Sequence, residues 1–176
     1  QLSAALSYLI ETIADMSQRI VQLERKIEQL SKQRYPESQG LQQVAGVGPI
    51  TAMAYVLTIE DPSRFSKSRM VGAYLGLTPR RDQSGASDKQ LRISKAGNRY
   101  LRKLLVNCAH YILGRFGPDC HLRRFGLAIA ARGGKNAKKR ATVAVARKLA
   151  VLLHRLWATQ RCYEPFYAVG SHHKAA

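Results

Sequence analysis

The residues able to do chemistry crowd into one stretch, Gly76 to Arg102, with the sequence GLTPRRDQSGASDKQLRISKAGNRYLR. Arg80, Arg81, Lys89, Arg92, Lys95, Arg99 and Arg102 surround one small hydroxyl, in a polar loop expected around Ser84-Gly85. Cations at this density suit a phosphodiester. A serine beside a held phosphorus attacks it only when a base removes the hydroxyl proton and donors meet the developing charge. Arg80, Arg81 and Arg92 are able to meet that charge. No base is close, because the histidines stand at 110, 121, 154, 172 and 173 and the nearest carboxylates are Asp82 and Asp88. A Ser-Gly pair is also an ordinary turn. Residue types alone therefore favour a nucleic-acid-binding element with an exposed serine, and rank nucleophilic catalysis below it.

The whole chain carries the same bias. Its 176 residues suit one compact domain plus an extension. Lysine and arginine outnumber acidic residues by 29 to 11, for a formal charge of +18. A surplus of this size self-repels and calls for an anionic partner, and nucleic acid is the usual one. No apolar run approaches the roughly 18 residues of a spanning helix, and no signal peptide is evident, so a membrane is the disfavoured alternative. Cys108, Cys120 and Cys162 are dispersed, which fits a reducing, cytoplasmic setting without disulfides. Cys108 with His110 and Cys120 with His121 match no common zinc spacing. A start at Gln1 rather than Met leads us to expect a piece of a longer protein.

The elements that must position the basic stretch read as all-α. Leu2, Leu6, Leu9, Ile13, Met16, Ile20, Leu23, Ile27 and Leu30 alternate spacings of four and three, the seam of a coiled coil over residues 1–34. Such a helix is marginal alone, so pairing with another helix, and hence a homodimer or higher oligomer, is expected. Tyr35 to Gly40 reads as a linker, and residues 41–160 as a compact helical domain. In it, Val44-Ala45-Gly46-Val47-Gly48-Pro49 precedes an apolar helix, with Pro49 as its first residue. Gly46 and Gly48 would let a phosphate approach the free amides of that helix start, as in a helix-hairpin-helix turn. Asp61 before Pro62 reads as a turn former rather than a Mg²⁺ ligand. Ser66 is expected to cap a short helix from Lys67 to Leu75. Gly97-Asn98 reads as a second hairpin turn, followed by an amphipathic helix from Arg99 to Arg115. Asp119 is expected to cap the next helix, His121 to Ala131. Arg132 to Arg140, including Lys135, Lys138, Lys139 and Arg140, reads as a flexible basic loop able to contact phosphates. A last helix runs from Thr142 to Trp157, and residues 161–176 form a tail, expected to be disordered from Ala168.

GVGPITA at 46–52, DPSRF at 61–65, AYLGLTP at 73–79, QSG at 83–85 and RISKAGNRYLRKLL at 92–105 occur in one order. Together they resemble the C-terminal domain of the bacterial DEDD insertion-sequence transposases, a family that includes Piv-type DNA invertases and bridge-RNA-guided recombinases. The resemblance covers roughly residues 41–158, and the helix before it is similar to the family's dimerising segment. It implies that a separate RuvC-like domain supplies the acidic DEDD residues and holds Mg²⁺, and that no cofactor belongs to the piece in hand. It also implies that a serine of this domain becomes covalently linked to DNA. Ser84 matches that serine, with Ser87 and Ser94 as competitors. Ser94, in the ISKAGN turn, is better suited to capping the next helix or touching phosphate. DNA, a guide RNA and a second subunit are the implied partners. The segment Ala86 to Leu91 departs from the family in lacking a glycine near Gln90 to Arg92. The other reading is a non-catalytic module for DNA or RNA binding and dimerisation.

Overall fold

The computed structural model describes residues 2–84 and 87–166, and the side chains of residues 6–80 and 91–166. It is mainly helical, with a single two-stranded sheet among the described residues. Helix α1 spans Leu2–Arg34 without a break, as the heptad predicts. Every residue from Leu6 to Lys26 is exposed, seam included; Ile13 is 65% and Leu23 is 58% accessible. Two ion pairs one helical turn apart, Asp15–Arg19 at 3.0 Å and Glu28–Lys32 at 2.7 Å, stiffen its polar faces.

Only the last turns of α1 dock. Ser31 is fully buried, and its hydroxyl meets Ser38 Oγ at 2.7 Å and accepts from Gln39 Nε2 at 2.7 Å. Residues 35–40, expected as a linker, hold the start of a short helix, α2 (Glu37–Leu41), packed into this joint. Pro36 turns the chain, and burial of Ser38 and Leu41 then locks it.

The body is built on α7 (Ala137–Thr159), which is packed by α5 (Arg99–Leu113), α6 (His121–Ala131), α4 (Met70–Tyr74) and α2. Leu101, Leu105 and Ile112 of α5 are fully buried with Val145, Leu149 and Leu153 of α7. Each such side chain contributes roughly 1.5–3 kcal/mol. Helix α3 (Pro49–Ile59) lies on α5 and is tied to α7 by the Tyr55 hydroxyl, which donates to the Ala150 carbonyl at 2.7 Å. Burial drives the Tyr55 pKa far up, so it stays a neutral donor.

The DPSRF corner is a fold device. Asp61 accepts from the Ser63 amide at 2.7 Å and the Ser63 hydroxyl at 2.6 Å, and these bonds hold its carboxyl below the usual range. The buried His154 of α7 clamps the same corner. Its Nε2 donates to the Pro62 carbonyl and its Nδ1 accepts from Ser68 Oγ, each at 3.0 Å.

Two expected caps are replaced. Ser66 does not cap, because the following helix starts later, at Met70, and the Ser66 hydroxyl faces Met70 Sδ at 3.5 Å. Asp119 does not cap α6, where Cys120 holds that place. A cation is the stronger competitor: Arg124 takes both Asp119 oxygens, the shortest contact being 2.6 Å. The tail from Ala168 lies outside the described residues.

Candidate nucleic-acid interface

The stretch expected as a polar loop is a β-hairpin. Strand β1 (Pro79–Ser84) pairs antiparallel with β2 (Ser87–Ile93). The register sets Ser84 opposite Ser87, Gln83 opposite Asp88, Asp82 opposite Lys89 and Arg81 opposite Gln90, with an irregularity near Arg80. Ser84 and Ser87 are thus the last paired residues of the two strands. Gly85 and Ala86 lie outside the described residues, as do the side chains of Arg81, Ser84, Ser87 and Lys89.

The base of the hairpin is pinned to the body. The Ser94 amide donates to the Thr78 carbonyl at 2.9 Å, and the Lys95 amide donates to the Gly76 carbonyl at 3.1 Å. The loop that follows lies directly on the end of α4. Gly97 has φ +71°, and a Cβ there would strike the Tyr74 carbonyl oxygen. Arg102 reaches back from α5 and donates to the Leu75 carbonyl at 3.0 Å and the Ala96 carbonyl at 2.7 Å. Asn98, rather than Ser94, caps α5, its Oδ1 accepting from the Leu101 amide at 3.0 Å.

These contacts divide the expected phosphate ligands. Arg80, Arg92, Lys95 and Arg99 are exposed around the hairpin base, with no ion pair among the described residues. Arg102 is half-buried and braces carbonyls instead. Lys95 sits at φ +58°, a left-handed conformation uncommon for a side-chain-bearing residue.

Gly46 and Gly48 also differ. Gly46 has φ +84°, and a Cβ there would lie 2.8 Å from Tyr111 Cδ1 of α5, so its glycine serves packing. Gly48 is exposed with open space where a Cβ would stand, and it precedes Pro49 at the uncapped start of α3. This turn lies against the C-terminal half of α5. The hairpin base lies at the N-terminal end of α5, beside the far end of α3. The two expected footholds are therefore separated by about the length of α3, roughly 16 Å.

The third expected foothold is more ordered than a loop. Gly133 and Gly134 take φ of +74° and +92°, and α7 then starts at Ala137, so Lys138, Lys139 and Arg140 form its first turn. Arg140 donates to the Gly133 carbonyl at 2.9 Å. No acidic residue and no side-chain cap relieves this turn. Cations at the positive end of a helix dipole are mismatched, and an anion reverses that mismatch.

Among the described residues no three His, Cys, Asp or Glu side chains converge to hold a metal. No helix among them is long and apolar enough to cross a membrane.

Comparison with known proteins places these features. Residues 38–123 match the model of the IS116/IS110/IS902 transposase family, a span that runs from within α2 to the start of α6 and includes the hairpin. The chain is 30% identical to the transposase for insertion sequence element IS1111A of Coxiella burnetii, over 93% of its own length and 44% of that relative. It is 32% identical to a probable family 20 transposase of Pseudomonas aeruginosa, over 91% of its own length and 46% of that protein. A pilin gene-inverting protein of Moraxella bovis is 28% identical over 90% of this chain, which covers 49% of the relative. The chain thus spans just under half the length of each.

Proposed function

Through residues 38–123 the chain belongs to the IS116/IS110/IS902 transposase family, and from that premise we propose that it is the strand-attacking part of a DNA transposase or invertase, with Ser84 as nucleophile. The observation that carries this reading is the hairpin. It holds Ser84 at a strand end, above a base ringed by exposed Arg80, Arg92, Lys95 and Arg99. In the proposed step Ser84 Oγ bonds to phosphorus as one bridging P–O bond breaks, and the departing strand keeps that oxygen. The serine proton passes to a base outside the described residues. The cations, with Arg81 and Lys89 added from the strands, neutralise the phosphate. Acidic residues of an RuvC-like domain, with their Mg²⁺, belong to the complete enzyme in this reading. A guide RNA is a proposed further partner, and its support is the resemblance alone.

The experiment uses the complete transposase and a DNA substrate carrying its recombination site. Denaturing electrophoresis followed by peptide mapping reads the protein–DNA adduct. Ser84→Ala is expected to abolish it while Ser87→Ala and Ser94→Ala retain it. Wild-type adduct levels in Ser84→Ala remove Ser84 from the role.

The exposed Gly48 turn supports a second reading, a module that grips nucleic-acid backbone without cutting it. It predicts steeply salt-dependent binding and no effect of Ser84→Ala in any assay.

A further inference from the structure

Helices α3, α4 and α5 leave an open groove of about 470 Å³, bordered by Leu57, Thr58, Glu60, Tyr74, Asn98 and Tyr100. Its apolar walls face water: Tyr100 is 57% exposed, Leu57 53% and Tyr74 38%. Neither tyrosine is there to fill the core. Tyr100 sits on the first turn of α5, while the adjacent Leu101 takes the buried side. Tyr74 is already set in place, with the Phe65 ring edge-on at 5.3 Å and the Arg64 guanidinium over it at 5.8 Å.

Polar groups share the groove with these apolar walls. Asn98 lines it at the positive terminus of α5, and the exposed Arg99 is the next residue in the chain. Asn98 uses its Oδ1 on the Leu101 amide, and its amide N–H groups have no partner among the described residues. The groove is also lined by the Glu60 carboxylate, paired with Arg64 at 2.8 Å, and the Thr58 hydroxyl, whose proton goes to the Ala54 carbonyl at 2.7 Å. That leaves lone pairs on both oxygens to accept. The rim continues into the hairpin base, since Gly97 packs on the Tyr74 carbonyl.

We propose that this groove seats one unpaired nucleobase of single-stranded or locally opened DNA, stacked on Tyr100, with the adjoining phosphate toward Arg99 and the base edge toward Thr58 and Glu60. The proposal rests on the DNA reading above and adds to it. A base offers an apolar face, N–H donors on its edge and a phosphate across its sugar, and the groove and its rim carry a complement to each. Duplex DNA cannot supply such a base without unstacking it, and aromatic stacking of a free base is worth about 1–3 kcal/mol. A neutral apolar peptide would leave the groove's polarity and the chain's +18 charge unused.

The test uses the 176-residue chain with a single-stranded DNA oligonucleotide carrying 2-aminopurine, and with the same strand in a duplex. Wild type is expected to quench the single-strand probe. Tyr100→Ala should lose the quench and at least about fivefold in single-strand affinity, Tyr100→Trp should keep both, and duplex affinity should stay unchanged. Circular dichroism establishes that the variants remain folded. Intact quench and affinity in folded Tyr100→Ala overturn the proposal while leaving duplex binding, and the function above, in place. Absence of all DNA binding by wild type overturns both. Quenching confined to an RNA probe, or protection of Tyr100 by rising protein concentration without DNA, assigns the groove to another occupant and overturns it as well.

Discussion

Gly46 and Gly48 carry the same residue type two positions apart, and the structure separates their duties. Valine at 46 meets both a left-handed backbone and the Tyr111 ring at 2.8 Å. Gly46→Val should therefore lower the thermal midpoint, at a cost of more than about 1 kcal/mol. Gly48 has φ −88° and ψ 176°, which valine adopts freely, and open space beside it. Gly48→Val should keep its fold and bind duplex DNA about tenfold more weakly, by screening charge-assisted bonds to the α3 amides. Unchanged affinity in folded Gly48→Val removes this foothold. The sequence marks both glycines but not their difference, which depends on where α5 lies. Arg102 teaches the same point: it reads as one more phosphate ligand, and only the packing of the 94–98 loop on α4 shows it bracing two carbonyls. Arg99, one turn earlier on α5, is exposed instead.

At the scale of elements, the long helices were legible because their apolar residues recur with helical spacing. Helices α5 and α6 start where the sequence places them, at Arg99 and His121. The hairpin was not legible. PRRDQS and SDKQLRI show almost no apolar alternation, so the period-two signal is missing. Backbone bonds at Thr78 and Gly76 anchor it instead. The start of α7 is hidden in the sequence for a related reason: a glycine pair followed by a basic run resembles a loop, yet the helix begins within it. That mismatch makes a prediction. Replacing Lys138 and Lys139 with glutamate puts acids at the positive end of α7, and should stabilise the fold by about 0.3–1 kcal/mol each. The same change should weaken DNA binding and flatten its salt dependence by roughly one unit for each phosphate left without its lysine. Thermal melts and salt titrations read the two effects. A fall in both stability and binding would show that the turn is held by other forces.

At the scale of the molecule, α1 is an apolar seam without a cover in one chain, from Leu6 through Leu23. We propose a second copy as its cover, and light scattering at micromolar concentration should report a dimer or larger. Ile13→Glu with Ile20→Glu should give a monomer that still binds DNA through the body. A strictly monomeric wild type counts against pairing. The heptad made this helix plain in the sequence, whereas the joint at its foot depended on Ser31, Ser38 and Gln39 meeting in three dimensions.

That small polar knot works as a fulcrum. The free end of α1 lies about 45 Å from it, so a tilt of a few degrees at Ser31 sweeps the tip through several ångströms. Whatever the arm grips can swing relative to the hairpin unless the hydroxyls and the amide at its foot hold firm. These three side chains, with the packing of α1 on α3, set the angle at which the arm leaves the body.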